Sequence, residues 1–142
     1  MGKSIYLIRH GIVKKYPEID DLDERGRSFS EKLPILLKED KIDFIAVVKD
    51  KKRCSETIKY LEINNGIEAK AYEKSEFKTQ VPMPIIDALK HSISIICYGK
   101  TESKMLFKYF DIHPKDTDYT YEVIYKININ FDVEEIPTGY SK

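Results

Sequence analysis

Three short, largely apolar runs, each followed by polar residues, dominate the pattern of the chain. They are Ile5–Ile8, Ile42–Val48 and Ile93–Cys97. Apolar runs of this length that end abruptly in polar residues are typical of buried strands in a parallel sheet. In open α/β sheets, ligands bind at the carboxyl ends of such strands. The residues that follow these runs are therefore the first candidates for chemistry.

The segments between the predicted strands carry apolar residues at helical spacing and predict helices. Asp23 is a candidate N-cap of the first helix, in which Pro34 predicts a kink or a break. Asp50 is the expected cap of the second helix, which Gly66 ends. Thr101 is the expected cap of the helix that follows the third strand. Strands and helices therefore alternate along the chain.

The last predicted strand lies in a tyrosine-rich tail. From Tyr119 to Phe131, every second residue is apolar or aromatic, which predicts one long strand or two strands with a bend. The segment Ile67–Tyr72 alternates in the same way and predicts a half-exposed strand. The order of these elements predicts an α/β fold with a largely parallel sheet.

Length, charge and cysteine content narrow the function classes. The chain has 142 residues, which predicts a single domain over 1–142, and its 24 basic and 24 acidic residues give no net charge. This balance argues against nucleic acid and membrane surfaces as partners. The two cysteines, Cys54 and Cys97, predict free thiols in a reducing cytosol. With no signal-peptide-like start and no 18-residue apolar run, we expect a cytoplasmic protein.

The end of the first apolar run carries three residues suited to phosphate chemistry. Arg9 is always charged and presents a planar fork that matches phosphate oxygens. His10 can act as a nucleophile or a base near neutral pH. Gly11 allows a sharp turn or a close approach of the backbone to a ligand. This stretch is the strongest candidate site in the sequence.

Arg9-His10-Gly11 after an N-terminal strand resembles the signature of the histidine phosphatase superfamily, the phosphoglycerate-mutase-like proteins. The segment Arg53–Thr57 is similar to the family motif that carries the second phosphate-binding arginine, although Lys49 and Asp50 stand where the family has Ser-Pro. Leu22–Arg27 is similar to the segment that opens the first helix of the family. The lysines before Arg53 are otherwise expected to form a solvated entrance to the second helix.

The resemblance implies a fold and a set of roles. The implied fold is a three-layer α/β sandwich with a mostly parallel sheet, helices on both faces and an antiparallel closing strand. His10 is the implied nucleophile, which forms phosphohistidine, while Arg9, Gly11 and Arg53 are the implied phosphate-binding residues. No cofactor and no metal are expected, and the spacing of the remaining histidines does not suit metal ligation.

Two positions depart from the family pattern. Tyr98 stands where the resemblance places the second catalytic histidine, and a phenol cannot carry positive charge. Thr79 stands where many members have a proton-donating carboxylate, and Glu73 and Glu76 nearby are expected to be surface carboxylates. The loss of one fixed donor to developing charge costs about 100- to 1,000-fold in rate. Small bacterial phosphohistidine phosphatases lack the acid, so Tyr98 is the sharper departure.

Two functional hypotheses follow, with a third in reserve. In the first, the protein is a degenerate member, a pseudoenzyme with a partial phosphate pocket that binds a protein or a phosphorylated ligand in a regulatory or immunity-type role. In the alternative, it is a weak phosphomonoesterase or phosphohistidine phosphatase that uses His10. In the third, the motif match misleads and the chain is another kind of α/β domain.

Overall fold

The computed structural model describes residues 3–13, 21–38 and 41–142, and the fold is built on one mixed sheet. Its strands in the described residues are β1 (Ser4–Arg9), β2 (Phe44–Val48), β3 (Lys70–Tyr72), β4 (Ile93–Tyr98), β5 (Val123–Asn128) and β6 (Val133–Pro137). Their order across the sheet is β3-β2-β4-β1-β5-β6. The first four strands run parallel, and β5 and β6 are antiparallel to their neighbours.

Helices cover both faces of this sheet. They are α1 (Glu24–Leu36), α2 (Lys52–Asn65), α3 (Met83–Ala88) and α4 (Ser103–Phe110), with short 3-10 helices at Lys74–Phe77 and Asp118–Tyr121. The connections through α1 and α2 cross the sheet in one direction, and those through α3 and α4 cross it in the other. Because crossovers between parallel strands are right-handed, α1 and α2 lie on one face and α3 on the other, and α4 contacts the same 3-10 helix, Lys74–Phe77, as α3 does. The predicted three-layer α/β sandwich with antiparallel closing strands is confirmed.

The three apolar runs form the buried strands β1, β2 and β4, as predicted. Leu7 and Ile8 of β1 and Ile95 and Ile96 of β4 are inaccessible to solvent. These two strands pair in register, so that the last residue of β1 lies opposite Tyr98, the last residue of β4. The residues that follow the two strands therefore emerge side by side at one edge of the sheet.

Two of the predicted helix boundaries are confirmed. The Asp23 side chain caps α1 by accepting a hydrogen bond from the Gly26 N–H at 2.9 Å. The left-handed Gly66 (φ 64°) ends α2. The helix α1 continues through Pro34 and ends two residues later, at Leu36. The break expected at the proline is therefore displaced by about half a turn.

The two other predicted caps are wrong. Asp50 has a positive φ of 61° and belongs to the turn before α2, so Lys51 takes the N-cap position. Thr101 does not cap α4, because its hydroxyl donates to the carboxylate of Glu102, which is itself the residue before the helix. In both cases a good capping residue lies one position too early for the helix that follows.

The predicted strand over Tyr119–Phe131 is only partly correct. Its first residues form a 3-10 helix, and β5 is followed by a turn rather than by more strand. The Asn128 side chain makes this turn by accepting hydrogen bonds from the N–H groups of Asn130 and Asp132. The chain then returns as β6, an edge strand that the sequence analysis missed because most of its side chains are exposed.

Two further expectations concern the loop after Gly11 and helices that could span a membrane. The sequence from Ile12 to Pro17 predicts an irregular loop after Gly11, and its positions 14–17 lie outside the described part of the chain. Of the helices that the structure describes, none has the length and apolar character needed to cross a lipid bilayer.

The start of α1 packs directly against the chain that leaves β1. A Cβ atom added to Gly26 would lie 2.3 Å from the Ile12 carbonyl oxygen, and one added to Gly11 would lie 2.9 Å from the Gly26 Cα. The Asp23 N–H also donates to the Ile12 carbonyl at 2.9 Å. This glycine contact fixes the position of the loop that carries His10.

We expect Gly26→Ala to destabilise the protein by about 1–3 kcal/mol, because the added methyl group must push two backbones apart. A glycine-to-alanine change inside a helix is otherwise stabilising, by about 0.5–1 kcal/mol. The free energy of unfolding from urea titration tests this. Ser28→Ala, at an exposed position of the same helix, is the control and should change it by less than about 0.5 kcal/mol. A Gly26→Ala variant as stable as the wild type would contradict the proposed contact.

Candidate active site

The site lies where β1 and β4 end and α2 begins. His10 follows β1, and its backbone N–H donates to the Tyr98 carbonyl at 3.0 Å, which ties it to the end of β4. Positive charge meets at the same place, because the charges of Arg9 in β1, Lys51 at the N-cap of α2 and Arg53 in its first turn all act on the His10 imidazole. The structure therefore brings together the three main candidates of the sequence analysis, Arg9, His10 and Arg53.

The His10 ring is held in one tautomer. Its Nδ1 lies 2.8 Å from the Gly11 carbonyl oxygen, which can only accept, so Nδ1 carries the proton and Nε2 keeps its lone pair. His10 is 2% exposed. Burial, reinforced by the neighbouring cations and opposed by the Gly11 hydrogen bond, lowers the pKa of His10 to about 3. The ring is therefore neutral at physiological pH, with Nε2 unprotonated.

Arg9 is fixed by a segment that lies far away in the sequence. Its Nη1 donates to the Thr117 carbonyl at 2.8 Å and to the Thr120 hydroxyl at 2.9 Å. Tyr121 stacks on the guanidinium, with 4.1 Å between Cζ and the ring centroid. The Tyr121 ring also meets the His10 ring edge-on, at 6.0 Å between centroids. The 3-10 helix before β5 thus holds the arginine and covers one side of the site.

Thr57 joins the helix that carries Arg53 to the loop that carries His10. The buried Thr57 hydroxyl accepts from the Gly11 N–H at 2.8 Å and donates to the Arg53 carbonyl at 2.6 Å. Both backbone polar groups of Gly11 are therefore engaged within the protein, one with Thr57 and the other with the His10 ring. The expected role of Gly11 as a phosphate contact stays a prediction.

A buried ion pair fills the space beside His10 at the end of β4. Glu102 is 1% exposed, and its carboxylate accepts from Lys51 Nζ at 3.0 Å, from the Gly99 N–H at 2.9 Å and from the Thr101 hydroxyl. Burial acts to raise the pKa of Glu102, but the hydrogen bonds from Thr101, Lys51 and Gly99 outweigh it, so that the pKa lies below its usual value. Glu102 is therefore an ionised acceptor and not a proton donor.

Sequence reasoning missed both members of this pair. The lysines before Arg53 were expected to be solvated, and Lys49 and Lys52 are indeed exposed and paired with Glu73 and Asp21. The side chain of Lys51 is only 13% exposed. No motif marks Glu102, and the one sequence signal for it is its position three residues after Gly99, at the start of a helix that follows a buried strand.

The residues expected at the replaced family positions lie in different surroundings. Tyr98 is fully buried and packs edge-on against Phe107, with 5.3 Å between ring centroids. Burial raises the pKa of Tyr98 well above its usual value, although Arg9 and the Thr120 hydroxyl act in the opposite direction. Thr79 is exposed and donates to the Val81 carbonyl. Among the contacts of the described residues, none joins Thr79 to His10, and the correspondence of both positions to the family stays a prediction.

The carboxylates near Thr79 serve the local backbone. Glu73 and Glu76 form a reciprocal capping box around the 3-10 helix Lys74–Phe77.

Within the described ranges, no group of three or more His, Cys, Asp or Glu side chains could hold a metal ion. The described residues of the site therefore present a neutral imidazole, His10, close to the positive charges of Arg9, Arg53 and Lys51.

Several solved phosphatase structures share the fold of this chain, as a comparison with known proteins shows. The sequence matches no protein-family model, and no curated protein matches it significantly. A solved structure of mycobacterial glucosyl-3-phosphoglycerate phosphatase superposes with a TM-score of 0.60 at 10% identity, covering 90% of this chain and 91% of that chain. SixA from Agrobacterium tumefaciens, described as a candidate phosphohistidine phosphatase, gives 0.62 at 18% identity, covering 94% and 96%. The protein has the histidine phosphatase fold.

A third structure with the histidine phosphatase fold agrees over nearly the whole chain. A candidate alpha-ribazole-5'-P phosphatase from Escherichia coli gives a TM-score of 0.59 at 11% identity, covering 96% of both chains. At such identities the likeness establishes the fold and leaves the activity to be argued from the site. The expectation of another kind of α/β fold is therefore wrong.

The burial of a neutral imidazole predicts that stability falls in acid. The unfolded histidine takes up a proton near pH 6.5, whereas the pKa of folded His10 is about 3. This contribution is therefore complete above pH 6.5 and is lost as the pH falls from 6.5 towards 3, by up to about 1.4 kcal/mol per pH unit.

Urea unfolding at pH 7.5 and pH 5 tests this dependence. We expect His10→Gln to lose about 2 kcal/mol less than the wild type between the two values, because the variant has no imidazole to protonate at this position. His113→Gln removes an exposed histidine and is the matched control, which should follow the wild type. Equal losses in the wild type and His10→Gln would contradict the burial of a neutral ring.

Proposed function

We propose that the protein is a phosphohydrolase that forms phosphohistidine at His10 and acts on donors whose leaving group needs no proton. The observation that carries this proposal is the hydrogen bond from His10 Nδ1 to the Gly11 carbonyl. The His10 ring that makes it lies close to the positive charges of Arg9, Arg53 and Lys51. That bond aims an unprotonated Nε2 at the site, and phosphoryl transfer depends mainly on positioning and on positive charge around the equatorial oxygens.

The first chemical step is transfer to the imidazole. The Nε2 lone pair attacks phosphorus, the bond from phosphorus to the leaving-group oxygen or nitrogen breaks, and the leaving group departs with that electron pair. Nδ1 keeps its proton throughout, and the Gly11 carbonyl stabilises the positive charge that the ring acquires. Arg9 and Arg53 lie where their charges can offset the charge on the phosphoryl oxygens.

The second step returns the enzyme to its starting state. A water molecule attacks the phosphorus of phosphohistidine, the bond from phosphorus to Nε2 breaks, and the electron pair returns to the ring. The water protons go to the product phosphate and to solvent, and inorganic phosphate leaves. No redox change and no cofactor enter this sequence of steps.

The leaving group sets the substrate range. Glu102 is ionised and already accepts three hydrogen bonds, so it has no proton to give. Glu102 is the buried carboxylate beside His10 in the described part of the site, and where it gives no proton, alkyl phosphates are expected to react about 100- to 10,000-fold more slowly than with a general acid. Aryl phosphates and phosphoramidates such as phosphohistidine have leaving groups that depart more readily. Phosphate recognition also has support from the mycobacterial phosphatase, which has been solved in complex with inorganic phosphate.

A second candidate function is binding without turnover. Its supporting observation is closure of the site, because Tyr121 stacks on Arg9 and the exposed fractions of His10 and Arg9 are 2% and 7%. In that case the pocket would recognise a phosphorylated ligand or a protein partner, in a regulatory or immunity-type role. Either function fits a cytoplasmic location, since Cys54 and Cys97 are free and buried.

Hydrolysis of p-nitrophenyl phosphate and of phosphoramidate tests the primary proposal. We expect the wild type to turn over both and to form an acid-labile phosphoprotein, because phosphohistidine is a phosphoramidate. His10→Ala should fall to the buffer rate and form no phosphoprotein, while His113→Ala, which removes an exposed histidine, should keep the wild-type rate.

Turnover by His10→Ala equal to that of the wild type would contradict the role of His10. A folded wild type that binds inorganic phosphate, yet neither turns over these substrates nor forms phosphoprotein, would favour the binding function. Binding is measured independently as the rise in melting temperature with phosphate concentration.

A further inference from the structure

Gly99, the residue that follows β4, offers no side chain to the site. Because Arg9 pairs with Tyr98, the next residues along the two strands, His10 and Gly99, lie side by side. A Cβ atom built on Gly99 would lie 3.2 Å from His10 Cδ2, the ring carbon bonded to Nε2. Any larger residue at position 99 would therefore direct its side chain towards the reactive side of His10.

The ammonium group of Lys51 occupies the space that Gly99 leaves. The same Cβ position lies 2.7 Å from Lys51 Nζ and 2.8 Å from Glu102 Oε1. The observed placement of Lys51 and a side chain at position 99 therefore exclude each other. A lysine from the N-cap of α2 stands in the place to which a side chain from β4 would point.

We propose that Lys51 is a phosphate-binding residue, which supplies from α2 the cation that β4 lacks beside His10, and that Glu102 positions it. This inference rests on the proposed phosphate chemistry at His10 and deepens it. An ammonium group has three N–H donors, and among the described residues one of them goes to Glu102. The remaining donors can bind a phosphoryl oxygen.

The surroundings of Glu102 suit a positioning role. The Gly99 N–H and the Thr101 hydroxyl hold its carboxylate from the β4 side, so the carboxylate is fixed before it meets the lysine. Lys51 is thereby kept at the edge of the site instead of extending into solvent as Lys49 and Lys52 do. Glu102 offsets the charge of Lys51, whereas Arg9 is bound among the described residues by a carbonyl and a hydroxyl, which leave its positive charge available to a phosphate dianion.

The experiment measures the affinity for inorganic phosphate by calorimetry in four variants of the full chain. Lys51→Met removes the cation but leaves Glu102 buried without a partner, which threatens folding. The double variant Lys51→Met/Glu102→Gln removes both charges and avoids that problem. Glu102→Gln alone keeps an oxygen for Lys51 but removes the opposing charge. Lys49→Met is the matched control on the same turn.

The inference predicts effects of opposite sign. Lys51→Met/Glu102→Gln, and Lys51→Met if it folds, should weaken phosphate binding by about 10- to 100-fold, the range for one charge-assisted hydrogen bond. Glu102→Gln should bind phosphate more tightly than the wild type, and Lys49→Met should bind like the wild type. If the ion pair served only to hold the fold, Glu102→Gln would weaken binding together with the lysine variants.

The outcomes separate this inference from the proposed activity. A wild type that binds phosphate through Lys51 but turns over no substrate would support the inference and contradict the proposed phosphohydrolase activity. Turnover and phosphate binding that are unchanged in the double variant would overturn the role of Lys51 and leave the phosphohydrolase standing. A wild type with no measurable affinity for phosphate would overturn both.

Discussion

The pairing of β1 with β4 is the constraint on which the site depends. Its register sets the ends of the two strands level, so that His10 emerges next to Gly99 and is tied to the Tyr98 carbonyl. The contact between Gly11 and Gly26 then limits where the chain can go after His10. The orientation of the imidazole is thus a consequence of backbone packing, completed by one hydrogen bond to a carbonyl.

Electrostatic balance in the site follows from that geometry. The neutral state of His10 comes first from burial and then from the cations around it, and those cations are what would attract a phosphate group. Glu102 and the aromatic face of Tyr121 each stabilise one of the cations without protonating the ring. Among the described residues, Glu102 is held ionised and gives no proton, which restricts the proposed leaving group rather than the proposed binding of phosphate.

Much of this could be predicted from the sequence, because the signals were local. The apolar runs fixed β1, β2 and β4, and the motifs at Arg9–Gly11 and Arg53 identified three residues that the structure brings together. The C-terminal strand pattern failed where Asn128 forms a turn, since side-chain hydrogen bonds override alternation. Lys51 and Glu102 were beyond prediction, because their pairing joins residues 51 positions apart through a strand register that the sequence does not reveal.

The anchoring of Arg9 has a consequence for how the protein is made. Its two hydrogen-bond acceptors lie 108 and 111 positions further along the chain. During synthesis, β1 and its arginine leave the ribosome long before Thr117 and Thr120 exist, and contacts at such separation are the slow ones to form. Until the 3-10 helix before β5 is made, the guanidinium has neither its carbonyl nor its tyrosine neighbour. The proposed phosphate site is therefore among the last parts of the molecule to be completed, so a growing chain would not yet offer a finished pocket to phosphorylated molecules.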